Sequence, residues 1–221
     1  MKFFLDTANF EEIKEANAWG VLDGVTTNPS LLAKESGQGT DYKQMLKDIC
    51  AEVDGPVSAE VVSTDRDGMI AEAHDLVNIA DNIYVKFPCI PAGLAATKAV
   101  RAEGIRVNMT LVFSPAQALL AAKAGANFIS PFLGRIDDVA SGGMEILERC
   151  IEVVKNYDFD SEILASSLRG PMHVVEAARL GSDIATMPYD VFTKLVKHPL
   201  TDIGLQRFLD DWNKAKEALG A

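Results

Sequence analysis

Short runs of β-branched and aromatic residues alternate with longer amphipathic stretches along almost the whole chain. The pattern of the short runs is typical of buried strands. We predict strands at Phe3–Leu5, Val25–Thr27, Val57–Val62, Ile83–Phe87, Val107–Val112, Phe128–Pro131, Ile163–Ser166 and Ile184–Met187. The stretches between them carry apolar residues at helical spacing. The clearest predicted helices are Glu11–Ala18, Asp67–Ala80, Ala92–Ala102, Ala116–Ala124, Met144–Lys155 and Met172–Leu180.

This alternation of strands and helices indicates βαβ units and a parallel sheet, which is the α/β class. Eight strands in a chain of 221 residues favour a single closed (β/α)8 barrel, the TIM barrel, over an open sheet. The open alternative is a Rossmann-type fold, but no GxGxxG motif follows any of the strands. Asn28 and Pro29 suit the cap and first position of a helix, and Gly104, Gly125 and Gly181 fall where helix C-caps are expected.

The chain has no linker, so we predict one domain with an extra helix at its C-terminus. Residues 1–203 form the barrel, and residues 204–221 form the helix, which begins at Gly204. Leu205, Phe208, Leu209 and Trp212 make an apolar stripe along this helix. We expect the stripe to contact a neighbouring subunit of a homo-oligomer; the alternative is that it packs on the barrel's own helices.

Composition and charge exclude several classes of function. Hydrophobic residues make up 48% and charged residues 24%, as in ordinary globular proteins. A net charge of −11 argues against nucleic acid as the main partner, but a few local arginines still allow a small anionic substrate. No apolar run reaches the roughly 18 residues of a membrane span, and the apolar N-terminal run is too short for a signal peptide.

The cysteines and histidines give no sign of a disulfide framework or a metal site. Cys50, Cys89 and Cys150 are odd in number and far apart, which favours a reducing cytoplasm. The histidines do not form paired ligand motifs such as HxH or HxxxH; they are His74, His173 and His198. We therefore assign no metal.

One lysine lies inside a strongly apolar predicted strand. The period of two puts Val85 and Phe87 on one face and Lys86 on the other, which faces the barrel interior. Lysine is almost never fully buried without a partner. Either the strand ends early and Lys86 reaches solvent or an ion pair, or Lys86 is a desolvated amine that acts as a nucleophile.

Other polar residues favour the second interpretation, because they fall near the C-terminal ends of the other predicted strands. Barrel enzymes assemble their chemistry at this rim. A single polar residue at a strand end is usually a turn or cap residue, but six strands share the feature here, and the strand of Lys86 makes seven. The residues concerned are Asp6, Asn28, Ser58, Glu60, Asn108, Thr110, Ser130, Ser167 and Arg169.

These strand-end segments resemble the transaldolase family, in particular its small subfamily that also includes the fructose-6-phosphate aldolases. The resemblance runs from Met1 into the C-terminal helix, and the Thr-Thr-Asn-Pro-Ser string is its most specific part. The matching segments are Phe4–Thr7, Gly24–Ser30, Ser58–Val61, Val85–Pro88, Asn108–Leu111, Ser130–Ile136 and Ala165–Arg169.

The resemblance implies transfer of a dihydroxyacetone unit between sugar phosphates, as in the pentose phosphate pathway. The donors are fructose 6-phosphate or sedoheptulose 7-phosphate, and the acceptors are erythrose 4-phosphate or glyceraldehyde 3-phosphate. Lys86 would form an imine with the donor carbonyl, so that neither a metal nor a cofactor is needed. The small transaldolases also form pentamers that pair into decamers, so the resemblance implies such an assembly here.

The resemblance also assigns roles to individual residues. Asp6 is the acid/base for the substrate hydroxyl, and Glu60 with Thr110 holds a catalytic water. The dihydroxyacetone hydroxyls and the rest of the substrate contact Asn28, Asn108, Ser130, Thr27 and Phe132. The phosphate is bound by Arg135, Ser167 and Arg169. Ser166 is an open alternative to Ser167, and a surface ion pair is the alternative for each arginine.

Three other functions remain as alternatives. Fructose-6-phosphate aldolases carry Gln in place of Glu60 and Tyr in place of Phe132, so both residues favour a transferase. A non-catalytic sugar-phosphate-binding barrel would retain the arginines but leaves Lys86 beside Glu60 and Asp6 unexplained. A sugar-phosphate isomerase, with or without a metal, is possible on the same fold, because fold alone does not determine function.

Overall fold

Eight parallel strands close into a barrel in the computed structural model, which describes residues 1–35 and 41–219. Each strand pairs with the next along the chain, and the last pairs with the first. The strands are β1 (Lys2–Asp6), β2 (Gly24–Thr26), β3 (Val57–Glu60), β4 (Ile83–Pro88), β5 (Val107–Val112), β6 (Phe128–Pro131), β7 (Glu162–Ala165) and β8 (Ile184–Met187). The predicted (β/α)8 barrel is therefore confirmed. The largest difference is that β3 ends at Glu60 rather than at Val62, which is exposed beyond the strand.

Helices connect the strands and surround the barrel. They are α1 (Phe10–Asn17), α2 (Pro29–Glu35), α3 (Tyr42–Glu52), α4 (Arg66–Val77), α5 (Pro91–Ala102), α6 (Pro115–Ala124), α7 (Leu133–Asp137), α8 (Gly143–Lys155), α9 (Pro171–Leu180), α10 (Tyr189–Lys194) and α11 (Pro199–Leu219). The predicted caps at Asn28, Gly125 and Gly181 are confirmed, whereas the C-cap of α5 is Glu103, and Gly104 follows it with φ of 86°. Asn28 Oδ1 accepts a hydrogen bond from Leu31 N at 3.0 Å, and Gly125 and Gly181 end α6 and α9 in the left-handed conformation.

Alternation along each strand divides the apolar residues between two cores. Val85, Phe87 and Met109 face outward and are fully buried against the surrounding helices. Four side chains fill the barrel interior below the site: Phe4, Phe128, Leu164 and Ile184. Tyr84 closes this inner cluster, with its ring stacked on Phe128 at 4.4 Å between centroids. The filled lower half leaves the C-terminal ends of the strands as the place for a ligand.

Gly24 leaves room for this inner cluster. A Cβ atom at position 24 would lie 2.6 Å from the Phe4 ring and 2.7 Å from the carbonyl oxygen of Pro56. Both distances are shorter than van der Waals contact, so the glycine of β2 lets the Phe4 ring occupy the centre of the barrel.

The C-terminal helix α11 begins at Pro199, five residues before the predicted start at Gly204. Proline is favoured in the first turn of a helix, because its missing N–H would have no partner there. Phe208 and Trp212 are 75% and 59% exposed in the described chain, and the other residues of the stripe are also exposed. The stripe therefore does not pack on the barrel of its own chain. Residues 220 and 221 of the predicted helix lie outside the described residues. Among the described helices, none is both long and apolar enough to cross a membrane.

Candidate active site

A polar cavity opens at the C-terminal ends of the strands, with an empty volume of about 460 Å³. The cavity walls include eight of the residues predicted from the sequence: Asp6, Asn28, Lys86, Asn108, Ser130, Phe132, Arg135 and Ser167. The remaining wall residues are Thr26, Leu164, Ser166 and Thr186.

Lys86 projects into this cavity from the middle of β4. Its side chain is 5% exposed, and its Nζ lies 2.9 Å from Glu60 Oε2. The same nitrogen donates a hydrogen bond to the carbonyl oxygen of Thr27 at 3.2 Å. The interpretation that the strand ends early and Lys86 reaches solvent is wrong, because β4 continues to Pro88. The ion pair is present, but it lies within the wall of the cavity.

A second cavity, of about 550 Å³, meets the first at Lys86 and contains Glu60 and Leu111 in its walls. Thr110 is fully buried on neighbouring β5, and its hydroxyl has no hydrogen-bond partner within the described residues. Buried hydroxyls normally have a partner, so this one calls for a water or a ligand group, although Thr110 itself borders neither cavity. Leu111 adopts a left-handed conformation with φ of 56°, where β5 shifts register against β6.

Two threonines hold Asp6 in position. Thr26 Oγ1 donates a hydrogen bond to Asp6 Oδ1 at 2.7 Å, and Thr26 Oγ1 also lies 2.7 Å from Thr186 Oγ1. Both hydroxyls are buried in the cavity wall. Asp6 therefore reaches the cavity with one carboxylate oxygen already bound by the protein.

Asn108 is held by hydrogen bonds on both ends of its amide. Ser130 Oγ donates to Asn108 Oδ1 at 2.7 Å, and Asn108 Nδ2 donates to Ser58 Oγ at 3.0 Å. All three side chains are buried. The side-chain oxygen of Asn28 caps α2, so its amide nitrogen remains for contact with a ligand.

The two predicted phosphate-binding arginines have different surroundings. Arg135 borders both cavities, and its guanidinium lies 5.2 Å from the centre of the Phe132 ring. Arg169 borders neither of them and forms an exposed ion pair with Asp138 at 2.7 Å. The structure therefore brings Arg135 to the site, and it leaves Arg169 in the surface ion pair that was the alternative interpretation.

The segment between the arginines is tightly packed. Gly134 N donates to the carbonyl oxygen of Ser167 at 3.0 Å, and a Cβ atom at Gly134 would lie 2.4 Å from Arg169 Nε. Arg169 is thus close to the rim, although its guanidinium turns to Asp138. Ser166 and Ser167 both border the cavity, and Ser166 Oγ donates to the carbonyl oxygen of Pro131 at 2.8 Å. The choice between the two serines stays open.

Thr27 is the one predicted substrate-binding residue that lies behind the wall. It is fully buried, its hydroxyl donates to the carbonyl oxygen of Ser58 at 2.8 Å, and its own carbonyl accepts from Lys86. Sequence reasoning did not identify Thr26 and Thr186, which do border the cavity. Their inward positions follow from the period of two in β2 and β8. Threonine is common in strands, however, so its presence there gave no signal of a site.

The cysteines lie apart from this chemistry. Burial raises the pKa of the Cys50 thiol to about 11 and that of Cys150 to about 12. Burial also raises the pKa of Cys89. Thiols with these values stay protonated at neutral pH and are poor nucleophiles. Within the described residues, no group of three or more His, Cys, Asp or Glu side chains is placed to hold a metal ion.

Comparison with known proteins identifies relatives along nearly the full chain. The family described as transaldolase/fructose-6-phosphate aldolase matches residues 3–219. A probable transaldolase of Desulfatibacillum aliphaticivorans is 57% identical over 217 residues, which cover 98% of this chain and 100% of the relative. A probable transaldolase of Aquifex aeolicus is 56% identical over 217 residues, covering 98% and 99%.

A solved structure supports the fold alone. Thiamine phosphate pyrophosphorylase from Pyrococcus furiosus superposes with a TM-score of 0.60 at 17% sequence identity. The match covers 88% of this chain and 93% of the other. At this identity the similarity extends to the barrel and not to the reaction.

Proposed function

The chain belongs to the transaldolase/fructose-6-phosphate aldolase family, and we propose that it is a transaldolase that works through an imine on Lys86. Its relatives support a transaldolase-like function. The observation that carries the finer proposal is the buried Lys86 amine, 2.9 Å from Glu60, in a cavity with Asp6 and two asparagines. The substrates are a ketose phosphate donor and an aldose phosphate acceptor.

The first step is attack on the donor by Lys86. The ammonium group passes a proton to Glu60, directly or through a water held by Glu60 and the unpartnered hydroxyl of Thr110. The neutral amine then bonds to the carbonyl carbon of the ketose, and the carbonyl oxygen leaves as water with one proton from the amine and one returned by Glu60. The product is a protonated imine, which accepts electrons readily.

Carbon–carbon cleavage follows at Asp6. The free carboxylate oxygen of Asp6 takes the proton of the hydroxyl on the fourth carbon. The O–H electrons form the aldehyde C=O bond, the bond between the third and fourth carbons breaks, and its electron pair moves to the imine to give an enamine. Asn108, held by Ser58 and Ser130, donates to or accepts from the dihydroxyacetone hydroxyls. The acceptor aldehyde reverses these steps, and hydrolysis frees Lys86.

Arg135 supports the assignment of phosphorylated substrates. Its guanidinium stands at the cavity rim, where a sugar chain anchored at Lys86 would place its far end. Charge-assisted hydrogen bonds from guanidinium to phosphate are strong and often bidentate. Arg169 joins this site in the proposal when its ion pair with Asp138 opens.

Phe132 supports a transferase rather than an aldolase. The centre of its ring lies 6.0 Å from Lys86 Nζ, and the ring has no hydroxyl that could protonate an enamine formed there. The intermediate then survives until an acceptor aldose arrives. A tyrosine here, as in the fructose-6-phosphate aldolases, would offer a proton and release dihydroxyacetone.

Trapping tests the proposal. The protein is incubated with fructose 6-phosphate, reduced with borohydride, digested and analysed by peptide mass. We expect a reduced dihydroxyacetone adduct on Lys86 and no adduct in Lys86→Arg, because the guanidinium stays protonated. Lys123→Arg, on the exposed face of α6, is the matched control and should be labelled like the wild type. An unmodified Lys86 peptide during turnover would exclude the covalent mechanism.

A further inference from the structure

Three side chains from adjacent strands form a hydrogen-bonded chain in the cavity wall. Asp6 of β1 is paired in register with Thr26 of β2, and Thr186 lies on β8 at the other side of β1. The two oxygen–oxygen distances are both 2.7 Å, and each threonine is 2% exposed. Contacts of this length between hydroxyl and carboxylate oxygens, or between two hydroxyls, are well-formed hydrogen bonds.

Proton counting fixes the direction of this chain. A hydroxyl has one proton to donate, and an ionised carboxylate only accepts. Because Thr26 gives its proton to Asp6, the contact between the threonines requires Thr186 to donate to Thr26. The order is therefore Thr186 to Thr26 to Asp6. Successive hydrogen bonds polarise one another, so the last donor strengthens the bond that reaches the carboxylate.

We infer that Thr186 is a positioning residue for carbon–carbon cleavage, acting on Asp6 through Thr26. This inference rests on the proposed function, in which Asp6 takes the hydroxyl proton. The chain transfers no proton itself. It binds Asp6 Oδ1 from the side of the wall, so that the other oxygen is the one that points to the substrate hydroxyl. Thr186 has no such relation to Lys86, whose polar contacts within the described residues are with Glu60 and the Thr27 carbonyl.

This role predicts that loss of the Thr186 hydroxyl slows carbon–carbon cleavage and leaves the rate of imine formation unchanged. With fructose 6-phosphate and no acceptor, imine formation precedes cleavage, and cleavage releases glyceraldehyde 3-phosphate in a burst. Borohydride quenching at short times therefore distinguishes a six-carbon adduct on Lys86 from a three-carbon adduct. Thr186→Val keeps the shape of the side chain and removes the donor. We expect total adduct to form at the wild-type rate, with a burst roughly threefold to tenfold slower and a longer-lived six-carbon adduct.

Two further variants test the path through Thr26. Thr186→Ser retains the hydroxyl and should restore the burst to near the wild-type rate. In the Thr26→Val background, Thr186→Val should cause no additional slowing, because its route to Asp6 is already broken. If Thr186→Val folds poorly by circular dichroism, Thr186→Ala serves with the same expected pattern.

The outcomes separate this inference from the proposed function. An unchanged burst in Thr186→Val, or full additivity with Thr26→Val, would overturn the role of Thr186 while the adduct on Lys86 still forms. Equal slowing of imine formation and cleavage would also overturn it, because a general structural role affects both. Absence of any adduct on Lys86 in the wild type would instead contradict the proposed function.

Discussion

Glu60 and Lys86 face each other directly in the parallel ladder between β3 and β4, and this register sets the 2.9 Å contact between their charged groups. Both side chains point into the barrel, where an ion pair has a large desolvation cost that its own attraction barely offsets. A shift of either strand by one residue would turn its member of the pair outward. The pair is therefore a consequence of strand register, and its burial is better explained by chemistry than by stability.

The first prediction concerns the arginines at the rim. Arg135→Ala and Arg169→Ala should each lower kcat/KM for phosphorylated substrates far more than for unphosphorylated ones such as dihydroxyacetone. We expect kcat/KM for fructose 6-phosphate to fall about tenfold to a hundredfold, since a hydrogen bond to a charged group contributes about 1.5–3 kcal/mol. For Arg169 this result would mean that the 2.7 Å pair with Asp138 opens when substrate binds.

Arg179→Ala is the matched control for Arg169→Ala. Arg179 also lies on the surface and pairs with an acidic side chain, Glu176, at 3.0 Å, but it borders neither cavity. Its replacement should leave kcat/KM near the wild-type value. Equal losses for phosphorylated and unphosphorylated substrates in Arg169→Ala would remove this residue from the phosphate site and leave it as a surface ion pair.

The second prediction concerns the choice between transfer and aldol cleavage. Phe132→Tyr adds a phenol on the ring 6.0 Å from Lys86 Nζ, where it can donate a proton to the enamine. We expect free dihydroxyacetone released from fructose 6-phosphate without acceptor to rise roughly tenfold or more, within the range of a positioned general acid. An enzymatic assay for dihydroxyacetone measures the release.

Phe113→Tyr is the control for this change. Phe113 packs edge-on against Phe132, with 5.8 Å between ring centres, but it does not border either cavity beside Lys86. A phenol there should leave dihydroxyacetone release at the wild-type level. If Phe132→Tyr releases no more dihydroxyacetone while transfer continues, the contrast between Glu60/Phe132 and Gln/Tyr does not control the reaction.

Much of the fold and most of the cavity wall could be predicted from the sequence, because the alternation of residues along a strand determines which side chains point into the barrel. The period of two around Val85 and Phe87 predicts that Lys86 points inward. The same rule predicts that Asn108 and Ser130 point inward too, and all three border the same cavity. At the ends of strands, the position of a residue in the sequence was a poorer guide to whether its side chain borders the cavity. Thr27, one residue after β2, lies behind the wall, and neighbouring Thr26 lies in it. Arg169 could not be placed from the sequence for another reason. Its ion pair with Asp138 depends on where α7 lies against the barrel, and the strand pattern does not predict that position.

The third prediction tests the filled lower half of the barrel. Gly24→Ala would force a Cβ atom to within 2.6 Å of the Phe4 ring, so the inner cluster must shift. Overpacking of this kind costs about 1–3 kcal/mol, which corresponds to a fall in Tm of roughly 2–12 °C for a chain of this size. Thermal unfolding followed by circular dichroism measures the change.

Gly204→Ala is the control for this change. Gly204 lies in α11, and no atom lies within 4 Å of the added Cβ, so Tm should be unchanged or slightly higher. A Gly24→Ala protein with the wild-type Tm would mean that Phe4 moves aside at no cost.

The last prediction is that α11 contacts another copy of the chain. Leu205, Phe208, Leu209 and Trp212 lie along one helix and are 49–75% exposed, so the described part of the barrel does not bury them. Aromatic side chains in an exposed apolar stripe are typical anchors of protein interfaces, and a closed barrel has no sheet edge left for association. We therefore expect a homo-oligomer in solution.

Light scattering at micromolar concentration tests this role of α11. Phe208→Glu combined with Trp212→Glu should lower the molar mass, because charges one helical turn apart would be buried at the contact. The barrel should keep its circular dichroism spectrum, since neither side chain packs on it. The control is Gln206→Ala combined with Asp210→Ala, a polar pair at the same spacing joined by a 2.8 Å hydrogen bond. It should keep the wild-type mass.

A wild-type monomer, or an unchanged mass in the Phe208 and Trp212 double variant, would show that α11 does not hold the assembly. Equal loss of mass in both double variants would point to the helix backbone rather than to its apolar stripe.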